Sequence, residues 1–268
     1  MSPSVKLEEC LIDAGAPVTD IFDLLVLHGG VVVKNFISKE TSAQMLSELQ
    51  PHLDAQAPKA GSEWQGSFFP STTRKVSAVL TKSKTFGEAL TMHPTYLAVA
   101  DKVLSRRDKM RNAAEPKWST SKPQVNVTSV LEIHPGTVEQ VRLQKISADK
   151  QTLFIPGSHL TGPEFVPKKE DALRATMDVG DAFIIRTLAA SGMTCGFLRQ
   201  EENQYISHDL AEIKKLSPEL QELAGWNISL PYHGWVEFGH PAKTLGRNIP
   251  DGDHFFFDVD QSDHPVTA

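Results

Sequence analysis

Glu132 and His134 stand two residues apart in the segment LEIHPGTVEQVRLQKISADKQTLFIPGSH, residues 131–159. Alternation along a strand turns both side chains to one face. A carboxylate and an imidazole so placed can begin a metal site or act as an acid–base pair. Lys145 adds a cation from the same segment, so Glu132, His134 and Lys145 hold the acid, base and cation that a metal-free isomerase or hydrolase would use. No third metal ligand is evident beside the pair. His159 closes the segment in IPGSH and reads as a turn residue.

Other chemically capable groups have plainer readings. HLD, at His52 to Asp54, has the spacing of a metal-binding pair but ends an amphipathic helix, so a solvated helix end is expected. The stretch DGDHFFFDVDQSDHP carries Asp251, Asp253, His254, Asp258, Asp260, Asp263 and His264. It lacks the glycine and closing glutamate of an EF-hand loop, so an acidic, solvated tail is expected. Phe255, Phe256 and Phe257 cannot all face one core, and with Trp235 they are the candidate partner interface. Cys195 has no histidine or aspartate near it in sequence and reads as a buried structural thiol.

The elements that must hold these residues change character near residue 124. Before it, helical spacing dominates apart from a short strand at 31–33. Ser38 is a plausible N-cap for a helix whose apolar face is Met45, Leu46, Leu49 and Leu53. Pro94 can open a second helix with a stripe of Tyr96, Leu97, Ala100, Val103 and Leu104. The charged stretch SRRDKMRNAAEPKWSTSKP reads as a solvated loop. After it the period falls to two: Val125, Val127, Ser129, Leu131 and Ile133 share one strand face, ending at Pro135-Gly136. Further strands are expected at 141–146, at 152–155 and as a pair around the Gly180-Asp181 turn. Ser217-Pro218 caps a late helix ending at Gly225. A small β-sandwich or barrel buttressed by helices follows, as one domain: a helical part over 1–123, a β core over 124–246 and an acidic tail over 247–268.

Bulk properties narrow the class. The 268 residues, 40% hydrophobic and 22% charged, can bury a substantial core. A net charge of -6 argues against a nucleic-acid binder, whose phosphate contacts need a basic surface. No apolar run approaches the ~20 residues of a membrane helix, and the polar start MSPSVKLEEC is unlike a secretory signal. Two cysteines, Cys10 and Cys195, make neither a disulfide framework nor a zinc site. A reduced, cytoplasmic protein is expected, in which the sequons at Asn126 and Asn227 have no route to glycosylation.

Several segments occur in a telling order: VVVKNFISKET, LEIHPGTVEQ, IPGSH, VGDAFI, LRQEENQY and LPYHGWVEFGHPAKTLG. Together they resemble the fungal branch of the phytanoyl-CoA dioxygenase family, from about Val31 to Gly246. LRQEENQY, residues 198–205, is the most specific. The resemblance implies a mainly β fold with flanking helices, a double-stranded β-helix or cupin-like jelly roll. It also implies Fe(II)- and 2-oxoglutarate-dependent oxygenation, with iron held by a His-x-Asp pair and a distal histidine. At the matching positions this chain reads Leu143 and Lys145 for the pair, and Ser191 before Gly192 for the distal histidine. The interval to IPGSH is short by about two strands. Arg199 belongs to LRQEENQY and does not take the role of the 2-oxoglutarate arginine, whose segment is missing. No catalytic, metal or cofactor-binding residue is therefore expected, and strands around the former metal site are expected to be shortened or absent.

The resemblance extends to the non-catalytic subunit of heterodimeric oxygenases of fungal meroterpenoid (talaromyolide-type) biosynthesis. In that reading Fe(II) and 2-oxoglutarate belong to a paralogous catalytic subunit. The alternative is an active metabolite-tailoring enzyme that reuses the jelly-roll cavity without metal.

Overall fold

The computed structural model describes residues 5–55, 74–111, 115–132, 152–162, 164–185, 191–250 and 257–262. In chain order they form β1 (Leu11–Asp13), α1 (Val18–His28), β2 (Gly30–Lys34), α2 (Lys39–Asp54) and β3 (Arg74–Ser77). Next come α3 (Pro94–Leu104), β4 (Arg106–Met110), β5 (Lys117–Ser121), β6 (Pro123–Glu132), β7 (Thr152–Phe154) and β8 (Leu173–Ala175). The chain continues with β9 (Ala182–Ile185), β10 (Ser191–Cys195), α4 (Gln204–Ser207), α5 (Leu210–Ile213) and α6 (Pro218–Leu223). Short 3-10 turns and one π-helical stretch, Phe86–Thr91, join them. Two compact units result: Met1–Val76 with Val130–Ala189, and Ser77–Ser129 with Ala190–Ala268.

The first unit is built on the sheet β1-β2-β9, with β1 parallel and β9 antiparallel to β2. Val31, Val32 and Val33 are all fully buried, as expected of a short β-branched run covered on both faces. Ile21, Leu25 and His28 form the buried stripe of α1 at helical spacing. Gly29 ends that helix at φ 78°, a left-handed position that costs glycine nothing, and its N–H donates to the Leu25 carbonyl. Ser38 caps α2 as expected, accepting from the Thr41 N–H. Only the second half of the expected α2 stripe is buried: Leu49 and Leu53 are inside, whereas Leu46 is 54% exposed. β7 and β8 pair antiparallel, and Phe154 packs on Phe183 with ring centroids 5.0 Å apart.

The Gly180-Asp181 turn does not join a hairpin. β8 pairs with β7 while β9 pairs with β2, so the strands on either side of the turn enter different sheets. The turn is anchored instead to the end of β2. Asp181 accepts from Lys34 and from the N–H groups of Asn35 and Asp178, and the Gly180 carbonyl accepts from Ile37 N–H. Burial alone would raise the Asp181 carboxyl, but these bonds hold it below the usual carboxylate range.

The second unit holds α3 to α6, the hairpin β4–β5, and β10 paired antiparallel with the first part of β6, Ser191 opposite Thr128 and Cys195 opposite Pro123. Pro94 opens α3, and Ser217 caps α6 by accepting from Leu220 N–H, both as expected. The stretch expected as a solvated loop is largely this hairpin, with Arg107 opposite Thr120 and Lys109 opposite Trp118. Its charges do not exclude a strand because Trp118 supports them: Arg107 and Lys109 lie 4.8 and 4.9 Å from its ring centroid. The expected one-sided alternation of β6 also fails. Val125 and Thr128, on opposite parities, are both buried, the threonine because its hydroxyl and N–H are consumed by hydrogen bonds.

Among the described residues the architecture is mixed helix and strand in four small sheets, and no barrel closes. The strand expected at 141–146 and the Pro135-Gly136 turn lie outside them. No described helix is long and apolar enough to cross a membrane.

Candidate functional site

Two clusters gather the residues the sequence singled out. In the first unit, Glu132 at the end of β6 and Asp54 at the end of α2 converge on one guanidinium. Arg74, the first residue of β3, donates from Nε to Glu132 and from Nη1 to Asp54 at 2.7 Å. Glu132 and the aspartate of HLD are thus brought together, and a monovalent cation with fixed hydrogen-bond directions already answers both. His52, from the same HLD, is half-buried in the last turn of α2. Leu143, Lys145 and His134 lie outside the described residues. Ser191 opens β10, paired with Thr128 of β6.

The donor chemistry in the described residues does not fit an iron site of two histidines and one carboxylate. Among them no three His, Cys, Asp or Glu residues come together. Two histidines are engaged elsewhere. His159 Nε2 meets the Val26 carbonyl at 2.8 Å, and His240 bonds Asn227 at 3.0 Å while its Nδ1 accepts from Ala242 N–H. Cys10 is buried, and burial followed by the neighbouring Glu9 pushes its thiol up to about 11. Cys195 is half-buried rather than buried.

The second cluster is LRQEENQY itself, residues 198–205. Glu202 accepts from the N–H groups of Ala78 and Thr128, from the Thr128 hydroxyl and from Gln204 Nε2. Gln200 Nε2 donates to the carbonyls of Val125 and Ala224, and Glu201 N–H donates to Asn126 Oδ1. The Tyr205 hydroxyl donates to the Gly225 carbonyl, and its ring meets Trp226 edge-on at 5.0 Å. Gln200, Glu201 and Glu202 thus tie the segment to β6, and Gln200 and Tyr205 tie it to the end of α6.

Beyond it runs a chain of bonds that fixes a tautomer. Gln204 gives its NH2 to Glu202, so its Oε1 is an acceptor and His208 Nε2 is the donor at 2.8 Å. His208 Nδ1 then accepts the Thr81 hydroxyl proton at 2.8 Å. The imidazole is neutral in this arrangement. Burial depresses its pKa, with Glu202 opposing and Lys82 adding to the shift.

These bonded positions set a frame in which to place the relatives. The chain is 27% identical to "Dioxygenase himG" of Aspergillus japonicus, over an alignment covering 94% of this chain and 95% of that protein. It is 25% identical to "Dioxygenase peniF" of Penicillium patulum (88% and 91% covered) and 26% identical to "Dioxygenase cnsJ" of Penicillium expansum (87% and 84%). The chain is similar to fungal dioxygenases. No model of a known protein family matches it. The himG alignment spans 316 positions, more than the 268 residues of the chain, so that relative carries residues with no counterpart here.

Of the proposed interface aromatics, Phe255 and Phe256 lie outside the described residues. Phe257 is half-buried, with Lys117 5.1 Å from its ring centroid. Trp235 is 45% exposed and stacks on Phe238, itself 86% exposed, at 4.6 Å and 7°. Phe238 is the second residue of a two-residue turn closed by reciprocal bonds between Val236 and Gly239, with Glu237 and Phe238 at φ 50° and 60°, and Trp235 precedes it.

Sequence reasoning missed Arg74, which sits in no motif, and the pairing of Arg107 with Asp258. Asp258 does not end in solvent. It accepts from Arg107 Nε at 3.1 Å and from the N–H and hydroxyl of Thr120 at 2.8 and 2.6 Å. The acidic tail is at this point a clasp on the hairpin.

Proposed function

We propose that this chain is a non-catalytic homologue of fungal dioxygenases, serving as the auxiliary subunit of a heterodimeric Fe(II)/2-oxoglutarate-dependent oxygenase in secondary metabolism of the meroterpenoid kind. A paralogous subunit supplies the iron site and binds 2-oxoglutarate. The observation that carries this reading is Arg74. Glu132, whose counterpart in the family it resembles lies beside the metal without binding it, is held by a guanidinium that also takes Asp54. A fixed positive charge there opposes a divalent cation through simple Coulomb repulsion. The residues at the matched ligand positions, Leu143, Lys145 and Ser191, point the same way: leucine offers no lone pair and lysine adds a second cation. The gaps in the himG alignment favour loss of a segment.

In this role the chain contributes packing. It covers apolar surface of its partner and stabilises the partner's fold by mass action. The Trp235–Phe238 tip is its most exposed aromatic feature among the described residues.

The test is an anaerobic calorimetric titration of the purified chain with Mn(II), then with 2-oxoglutarate in the presence and absence of Mn(II). No saturable metal heat, and no metal-dependent 2-oxoglutarate heat, is expected. Stoichiometric Mn(II) binding would overturn the reading. Co-expression with a paralogue that retains His-x-Asp and the distal histidine should yield a stable 1:1 complex in which oxygenation depends on the paralogue's ligands alone.

A further inference from the structure

A cleft of about 290 Å³ opens in the second unit, built from other segments than those that carry Arg74 and its two carboxylates. One side of its wall is LRQEENQY: Leu198, Arg199, Gln200, Asn203 and Tyr205 all line it. No aspartate or glutamate does. Arg199 is exposed there and has no ion-pair or hydrogen-bond partner for its guanidinium among the described residues. An arginine in a cleft without acids is the ordinary anchor of an anion, since its planar fork matches a carboxylate.

Two amides that also line the cleft are oriented by their own bonds. Asn203 Oδ1 accepts from Tyr205 N–H, and Asn227 Oδ1 accepts from Ile228 N–H and His240 Nε2. With both oxygens committed, each residue has its NH2 left to donate. The cleft therefore combines one cation and two fixed amide donors. Phe197 and His233 add a partly aromatic wall, their rings 6.4 Å apart and tilted by 48°. The volume lies at the small end of ligand sites, with room for a one- or two-ring acid.

We propose that this cleft binds a small aromatic carboxylate, with Arg199 on the carboxylate, Asn203 and Asn227 as further donors and Phe197 and His233 against the ring. This is a binding activity of the chain itself and needs neither metal nor the partner subunit.

The probes are benzoate, cinnamate and 2-naphthoate, each beside its neutral carboxamide, titrated into the metal-free chain and followed by ligand-detected NMR. At least one acid should bind saturably. Its carboxamide should bind about tenfold more weakly or worse, as should the acid to Arg199→Gln, because a charge-assisted contact is lost in each case. Arg199→Lys should recover part of the affinity, and a control at the exposed Arg106, Arg106→Gln, should leave it unchanged. No saturable binding by any of the three acids, or equal binding of acid and amide, or affinity indifferent to Arg199→Gln, would overturn the proposal. Because no metal is present, failure here leaves the Mn(II) titration to decide the subunit reading separately.

Discussion

Glu202 holds Ala78, Thr128 and Gln204 in place through its one carboxylate. LRQEENQY stands out in the sequence, but nothing in its letters says that one glutamate will receive four hydrogen bonds from two backbone and two side-chain donors. That depends on β6 and the turn before Val79 arriving beside it, which only the folded chain decides. Glu202→Ala would leave buried donors on Ala78 and Thr128 without acceptors, and should cost about 3 kcal/mol of stability in urea unfolding. Glu202→Gln keeps the shape but turns one of its two accepting oxygens into an NH2 that meets donors, so an intermediate loss is expected. Arg74 is the opposite case. An isolated arginine after a run of Ser and Thr carries no sequence signal, yet it joins two residues that spacing had placed in separate motifs. Arg74→Ala should lower the melting temperature, and Mn(II) titration of that variant reports whether the released carboxylates can hold a cation.

Elements were legible where one force dominates. The valine run of β2, the Ser38 and Ser217 caps and the Pro94 helix start follow from burial and backbone bonding close in sequence. The hairpin β4–β5 was not legible, because its strands read as charge and its stabilising partners lie far along the chain. Arg107 and Asp258 are separated by 151 positions, and their side chains are only 9% and 15% exposed. Asp258→Ala would take the carboxylate from a largely buried guanidinium and leave it the Asp260 and Ser262 carbonyls, a loss of about 3 kcal/mol. Amide exchange at Trp118 and Thr120 should accelerate with it, since Trp118 bonds Gln261 and Asp258 directly. Unchanged exchange there would show that the hairpin stands without the clasp. The turn at Gly180 misled for a related reason: a Gly-Asp pair between apolar runs is a hairpin signal, and only the Lys34 and Asn35 contacts reveal that it docks on β2 instead.

Across the molecule, buried histidines make stability depend on mild acid. His208 and His240 are both pushed below their ordinary 6.5, chiefly by burial. Between the folded values and 6.5 the unfolded chain binds more protons than the folded one, so stability falls as pH drops through that window and is level above it. Denaturant midpoints measured from about pH 7.5 to 5 should trace this decline. His208→Gln should reduce its slope whatever it does to the midpoint at neutral pH. A second decline is expected below 3.8, where Asp181 and Asp13, both held below that value, take up protons. The net charge of -6 gave no hint of the first window, because it treats every histidine alike.

The turn between Val236 and Gly239 also offers a preparative handle. Glu237 and Phe238 occupy positions where asparagine and glycine are the unstrained choice, and Phe238 spends most of its ring in water. Glu237→Asn with Phe238→Gly should gain about 1 kcal/mol in the isolated chain and improve its solubility. A natural sequence that forgoes so small a repair keeps a sticky, tense fingertip. If the repaired chain is the better-behaved protein alone and the poorer mate in co-expression, the fingertip is what the second subunit holds.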